Sequence, residues 1–332
     1  MFSIRESPRD LTPARSKTFA ISEDPSVAFV TPVTDIVVKG GDVVMSTMGR
    51  SFWILDDVSR LRQLGLAESK DLHVFRPAPA YRVRMSRSRG GSGVQYLSTG
   101  AYVDYWLAKN ARTLTLEVMD SEGEVVRRIQ SRRRRRRTPE GDAGTGMRPT
   151  PRFTPARLSA DAGAHRFRFD LRRDGPPARR SRRAGRGSRG PMLVPGKYEI
   201  RLFVGDLSQT VPLEIRMDPR VAADGVTIAD LRAQEQLSLD VMRVTTATRK
   251  FAAEVGRKRQ GEPANDAELE KIERQLETAK GTYQQPMLVA QLSYLASMLD
   301  RADQRPGKDA RIRIDELEAW LARLKKEFAA LR

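Results

Sequence analysis

Asp56 and Asp57 are the residues of this sequence whose type could cut a glycosidic bond. A glycosidase needs two carboxyl groups across the scissile bond, about 5 to 9.5 Å apart depending on mechanism. Adjacent residues on a strand point to opposite faces, so these two do not readily converge on one bond. The plainer expectation is that they cap a strand end and hydrogen-bond the turn that follows. Other reactive types are sparse. The chain has no cysteine, which excludes disulfides, thiolate nucleophiles and Cys-based zinc sites. His73 and His165 are the only histidines, far apart and without ligand spacing. Neither a His-based metal site nor a Ser-His-Asp triad is expected, and no metal or cofactor is assigned.

Arginine offers a second chemistry. Residues 127–189 hold 21 Arg, no Lys and five acids, which is +16 of the net +18 of the whole chain. The runs are Arg132, Arg133, Arg134, Arg135, Arg136 and Arg137, then Arg179, Arg180, Arg182 and Arg183. Such segments bind phosphate backbones without sequence selectivity, and the affinity falls steeply with salt. No aromatic residue is interleaved among them to stack on bases. Arg outnumbers Lys 48 to 12 over the chain, a bias that loop expansion explains as readily as selection for binding. Polyanion binding is kept as an alternative function, and nucleic acid is not expected as a physiological partner. Tyr102, Tyr105 and Trp106 suggest a carbohydrate-stacking platform, but strand alternation puts Tyr105 opposite the other two, with one face in the core.

These residues need elements to hold them. Asp35–Val38, Val43–Thr47 and Phe52–Leu55 are short apolar runs joined by glycine turns, which predicts an antiparallel sheet with Trp53 in its interior. From Tyr81 to Pro219 the pattern is all β. Leu114, Leu116 and Val118 alternate with polar residues, as do Phe167, Phe169 and Leu171, and Tyr198, Ile200, Leu202 and Val204. Gly205-Asp206 supplies a two-residue hairpin turn. About seven strands fit an immunoglobulin- or fibronectin-like β-sandwich. After Thr227, with Asp230 three residues on as a capping partner, the period becomes helical. Leu269, Ile272 and Leu276, then Leu288, Leu292, Leu295 and Leu299, then Ile314, Leu317, Leu321 and Leu324 mark apolar stripes of an antiparallel helical bundle or hairpin.

The predicted organisation is therefore multidomain, mainly β and then α. Residues 1–31 form a poorly ordered N-terminus, 32–57 a partial propeller blade, 58–80 a linker, 81–219 the sandwich and 226–332 the helical domain. Insertions at about 132–158 and 175–190 carry the like-charged runs and are expected to be disordered loops.

The segment Gly49-Arg50-Ser51-Phe52-Trp53-Ile54-Leu55-Asp56-Asp57, with the two runs before it, resembles the last blade of the sortilin-type, BNR-repeat β-propellers often labelled glycosyl hydrolases. Val74-Phe75-Arg76-Pro77 with Ala80–Arg84 is similar to that family's passage from propeller to sandwich. Gly100–Leu107, Thr115–Asp120 and Gly163–Arg172 resemble its sandwich strands, with Phe169 where the family usually has Trp. Pro195-Gly196-Lys197-Tyr198 and Ile215–Val221 match most closely. The likeness runs from Pro32 to the C-terminus, and the blades that should come before Pro32 are missing. The resemblance implies a non-catalytic accessory region of a propeller protein truncated of its propeller, with Arg50 in a salt bridge. A glycoside hydrolase complete in itself is a further alternative. The partners implied are a propeller domain, a second copy through the blade edge, and carbohydrate, with no membrane. No export signal stands at the N-terminus, which reads as cytoplasmic, whereas the family is typically exported.

Overall fold

The computed structural model describes residues 18–19, 31–39, 41–49, 51–55, 57–58, 60–67, 69–84, 99–131, 158–176, 189–261, 265–279, 281 and 284–331. β-sheets, one of them curled into a half-barrel, precede a C-terminal region of about four helices. The order β then α is as the periodicities predict.

The first sheet holds β1 (Thr18–Phe19), β2 (Thr31–Lys39), β3 (Asp42–Thr47) and β4 (Phe52–Leu55), side by side in that order and antiparallel throughout. Lys39 pairs directly with Asp42, and Gly41 takes a φ of 102°, which only glycine adopts freely. The strand β1 falls in the stretch expected to be without structure. A 3₁₀ helix over Leu61–Leu66 then leads to ten more strands.

These are β5 (Leu72–Val74), β6 (Ala80–Arg82), β7 (Ala101–Leu107), β8 (Thr115–Met119), β9 (Val125–Gln130), β10 (Gly163–Phe169), β11 (Arg172–Asp174), β12 (Arg189–Met192), β13 (Gly196–Val204) and β14 (Leu207–Met217). One sheet has the order β10-β7-β5, a larger one β6-β14-β13-β8-β9, and β11 pairs with β12. Only the pairing of β14 with β6 is parallel among those described. The two larger sheets share one core. Val103, Tyr105 and Leu107 of β7 meet Leu116, Val118, Ile200, Leu202, Leu213 and Ile215 from the facing sheet. The side-chain amide of Gln209 on β14 joins their edges, accepting from Val74 N (2.8 Å) and donating to Val74 O (3.2 Å).

Three expectations are amended here. Leu72, Val74 and Phe75, read as part of a linker over 58–80, are buried, and β5 belongs to the core sheets. Leu158, at the end of the first insertion, packs in the same core. β12 begins inside the second insertion, at Arg189. In each case the segment has no more than three buried apolar residues, too few to register as a period.

At the start of β13 the buried Tyr198 hydroxyl donates to Val194 O, 2.8 Å away. Burial, and then Glu235, push this hydroxyl up to about 12, so it stays a donor at neutral pH. Tyr198→Phe strips a buried carbonyl of its donor and is expected to cost about 1–2 kcal/mol in chemical denaturation.

Asp218 caps the short α1 (Pro219–Ala223) by accepting from Arg220 N. The predicted capping box is present at α2 (Ile228–Gly261): Thr227 N donates to Asp230 Oδ2 (3.0 Å), and Asp230 N donates to Thr227 Oγ1 (3.1 Å). α3 (Asp266–Leu276), α4 (Leu288–Leu299) and α5 (Lys308–Ala329) pack on α2 through the stripes read from the sequence. Each stripe buries its leucines and isoleucines in a second core with Val241, Val244, Phe251 and Val255.

Candidate functional site

Three places gather the residues that could bind or hold something: the N-terminal sheet, the outer face of the small sheet, and the junction of strands and helices. In the first sheet, register puts Ile36, Val38, Val43, Met45, Trp53 and Leu55 on one face. Val37, Val44, Phe52 and Ile54 lie on the other. The first face is therefore apolar, while the second mixes its apolar side chains with Asp35, Lys39, Asp42 and Ser46. Yet Phe52 is 75% exposed and Trp53 45%, and Ile36, Val37, Val38 and Ile54 are exposed as well. The interior position expected for Trp53 is not what the structure has, because no described layer covers either face. Val33 is the buried exception.

Beyond this sheet, the described residues at 57–58, 60–67 and 69–70 lead to β5, and Arg60 reaches the outer face of β10-β7-β5. Asp57 N donates to Asp42 Oδ1 (2.9 Å), and Asp57 takes a φ of 50°. The Gln63 side chain bonds both backbone groups of Arg76, beside β5. On that face, Arg166 grips buried Asp104 with two bonds of 2.8 Å, and Arg60 stands 3.8 Å from the same carboxylate. The Asp104 bonds hold the Arg166 guanidinium above its ordinary value against the cost of burial, with Asp57 adding at longer range. Arg166 also lies 5.0 Å over the Tyr102 ring.

At the third place, β6 meets the helices. Arg82, 2% exposed, bonds Asp303 Oδ1 at 2.8 Å through Nη2 and at 3.2 Å through Nε. Its remaining donors go to Leu193 O (2.9 Å), Met192 O (3.3 Å) and Gln234 Oε1 (3.2 Å). Gln234 in turn donates to Leu299 O and Ala302 O, closing the network on α2 and the end of α4. Arg84 binds Asp303 and Asp300, and Arg172 binds Asp300 bidentately. Burial raises both carboxyls, but the arginines outweigh it and hold Asp300 and Asp303 below the usual carboxylate range.

No protein-family model, curated protein or solved structure matches this chain.

Of the residues singled out by sequence, Asp56, Arg132–Arg137, Arg179, Arg180, Arg182 and Arg183 lie outside the described residues. Asp57 is spent on a turn and on the field at Arg166. Tyr105 is fully buried, its hydroxyl bonded to Ser159 O, while Tyr102 and Trp106 lie half-buried on the opposite face. The alternation that argued against a stacking platform is observed. Arg82, Asp104, Arg166 and Asp303 were not foreseen, although Arg82 carries one signal: a charge at an inward position of a strand. Among the described residues, no group of three or more His, Asp or Glu is placed to hold a metal ion, and no helix is long and apolar enough to cross a membrane.

Proposed function

We propose that this chain is a non-catalytic accessory region, the C-terminal part of a sortilin-type BNR-propeller protein of the kind labelled glycosyl hydrolase, with its first sheet acting as the last blade. The observation that carries this reading is the sheet β1–β4, a four-stranded antiparallel meander with one apolar face and with large apolar side chains exposed on both. A blade in a propeller is covered on each side by a neighbouring blade, which accounts for large apolar side chains exposed on both faces. Scattered apolar residues on a surface need no explanation, but six exposed large apolar side chains gathered on one thin sheet do.

The core sheets we read as an immunoglobulin/fibronectin-like sandwich. Two features support this: a first strand that splits between both sheets, as β5 and β6 do, and a tyrosine near the start of the penultimate strand bonded to backbone a few residues upstream. Arg82 and its partners would then fix the helical region on the sandwich, so that both form one support for the blade. The family's typical export would place the whole protein outside the cytoplasm.

The test is binding to a BNR-repeat propeller domain that lacks its last blade, measured by calorimetry. Trp53→Asp and Val37→Asp put a charge on opposite faces, and each is expected to weaken binding at least about tenfold, or 1.4 kcal/mol. No binding by the parent chain, or sensitivity to only one face, defeats the reading. A second reading is favoured by the edge of β4, which has no neighbouring strand among the described residues: self-association, since unpaired edges recruit strands. Sedimentation of the chain alone distinguishes it, as a dimer would form without any propeller.

A further inference from the structure

Between Lys280 and Asp300 the chain runs 19 residues without a charge, its longest such stretch, and α4 takes up most of it. One side of α4 is core, where Leu288, Leu292, Leu295 and Leu299 are buried. The other side is open. Ser293, Tyr294, Ala296, Ser297 and Met298 are exposed, Tyr294 by 64% and Met298 by 40%. Ser293 Oγ donates to Val289 O and Ser297 Oγ to Tyr294 O, both at 2.7 Å, so each hydroxyl hydrogen is spent inside the helix. The exposed faces of α2, α3 and α5 carry charges, as water-facing helices do, whereas a helix without a charged face is normally covered.

We propose that the outer face of α4 is a contact between two copies of this chain, which pair through it antiparallel about a two-fold axis at Tyr294.

A face without charge suits a partner without charge, and a two-fold axis presents it with its own copy. Antiparallel pairing at Tyr294 sets Ala290 opposite Met298 of the second copy, small against large, on both sides of the axis. It also sets Arg301 opposite Met287 of the second copy. Arg301 is exposed and makes no ion pair among the described residues. Its neighbours are engaged: Asp300 is held by Arg84 and Arg172, and Arg305 stands 3.8 Å from Asp230.

At the other end of α4, Met287 N donates to Thr278 Oγ1 (3.0 Å), which brings Glu277 at the end of α3 up to the helix. Glu270 there is paired with Arg274, and Glu273 with Arg259. Glu277 draws Arg301 of the second copy, and Lys271, which lines a cleft with Met287, opposes it. Parallel pairing would instead set Arg301 against Arg301. Residues 226–332 hold 19 Lys and Arg against 17 Asp and Glu, so the helical regions repel each other little. A helix of 12 residues is about 18 Å long, too short to fill the roughly 800 Å² per partner of a standard interface. The dimer is therefore weak and depends on concentration. It is a different surface from the first sheet, so it stands apart from the propeller reading.

Sedimentation equilibrium of the full chain at physiological salt, from micromolar to near-millimolar concentration, tests it. The average mass should rise towards that of two chains. Tyr294→Glu and Ser297→Glu, both exposed changes, should each weaken the dimer at least about tenfold while keeping the parent chain's circular dichroism. Arg301→Glu should weaken it by a smaller factor, about three- to fivefold, and Glu277→Arg in the same chain should restore it. Lys271→Glu should tighten it. Trp53→Asp should change nothing, which separates this dimer from one made by the edge of β4. The proposal is overturned by a chain that stays monomeric, by a dimer indifferent to both glutamates on α4, by loss of the dimer in Trp53→Asp, by a reversed charge pair no better than Arg301→Glu, or by a weaker dimer in Lys271→Glu.

Discussion

Asp303→Ala is expected to lower stability by about 3–5 kcal/mol, because it leaves Arg82 charged and buried with no counterion within hydrogen-bond reach. The total stability of a domain is only about 5–15 kcal/mol, so chemical denaturation should register the variant as a large fall in midpoint. The side chains of Arg82 and Asp303 are 2% and 3% exposed, so solvent cannot replace the missing partner. Arg84, at 15%, keeps its bond to Asp300 and cannot turn inward to help, being a cation itself. Replacing both ends with apolar residues, Arg82→Met with Asp303→Leu, should cost less than the single change, since no charge is then stranded. A double variant worse than Asp303→Ala would show that the hydrogen bonds to Leu193, Met192 and Gln234 matter more than the charge. The pH dependence has a definite direction. Asp303 is held below its ordinary range, so its contribution is complete above that range and is lost as pH falls through the folded value.

Gly100→Ala should be the second severe change, at roughly 3 kcal/mol or more. Gly100 has a φ of 135°, and a Cβ there would stand 2.3 Å from Phe169 O and 3.2 Å from Phe169 C. Both contacts are backbone of β10, which pairs with β7 through Phe169 and Ala101, so relief requires the strands to part. Gly123 is the control. It also has positive φ, at 81°, but nothing lies within 4 Å of the added carbon. Gly123→Ala should therefore cost only the left-handed backbone penalty, about 1–2 kcal/mol. Equal losses in the two variants would mean that the approach to Phe169 is slack.

Much of this architecture was legible because its signals are local. The runs of β2, β3 and β4, the alternation in β7, β8, β13 and β14, and the box at Thr227 and Asp230 each declare themselves within about ten residues. The elements that escaped are those whose identity depends on distant partners. β5 is three residues long and is a strand because Leu107, Trp106 and Tyr105 stand opposite it. β11, Arg172–Asp174, has no apolar residue and exists by pairing with β12. Arg82 and Asp303 are 221 positions apart, and no spacing rule joins them. Trp53 failed for another reason. Its apolar neighbours predict burial, but what would bury it is not among the described residues, so the pattern was read correctly as chemistry and incorrectly as position. The Asp56-Asp57 pair was legible only as a doubt, from the opposed directions of adjacent strand residues.

Gln234 gives α2 a mechanical role. It lies near the start of a 34-residue helix and is locked to Arg82, while the far end is tied by Lys258 to Leu331 O. The 27 steps from Gln234 to Gly261 span about 40 Å at 1.5 Å each. A tilt of roughly 5° about Gln234 would carry the tip about 3.5 Å by the same geometry. A slight slackening of the grip on Arg82 would thus be felt most at the C-terminal end of α2, the end farthest from Gln234 along the helix.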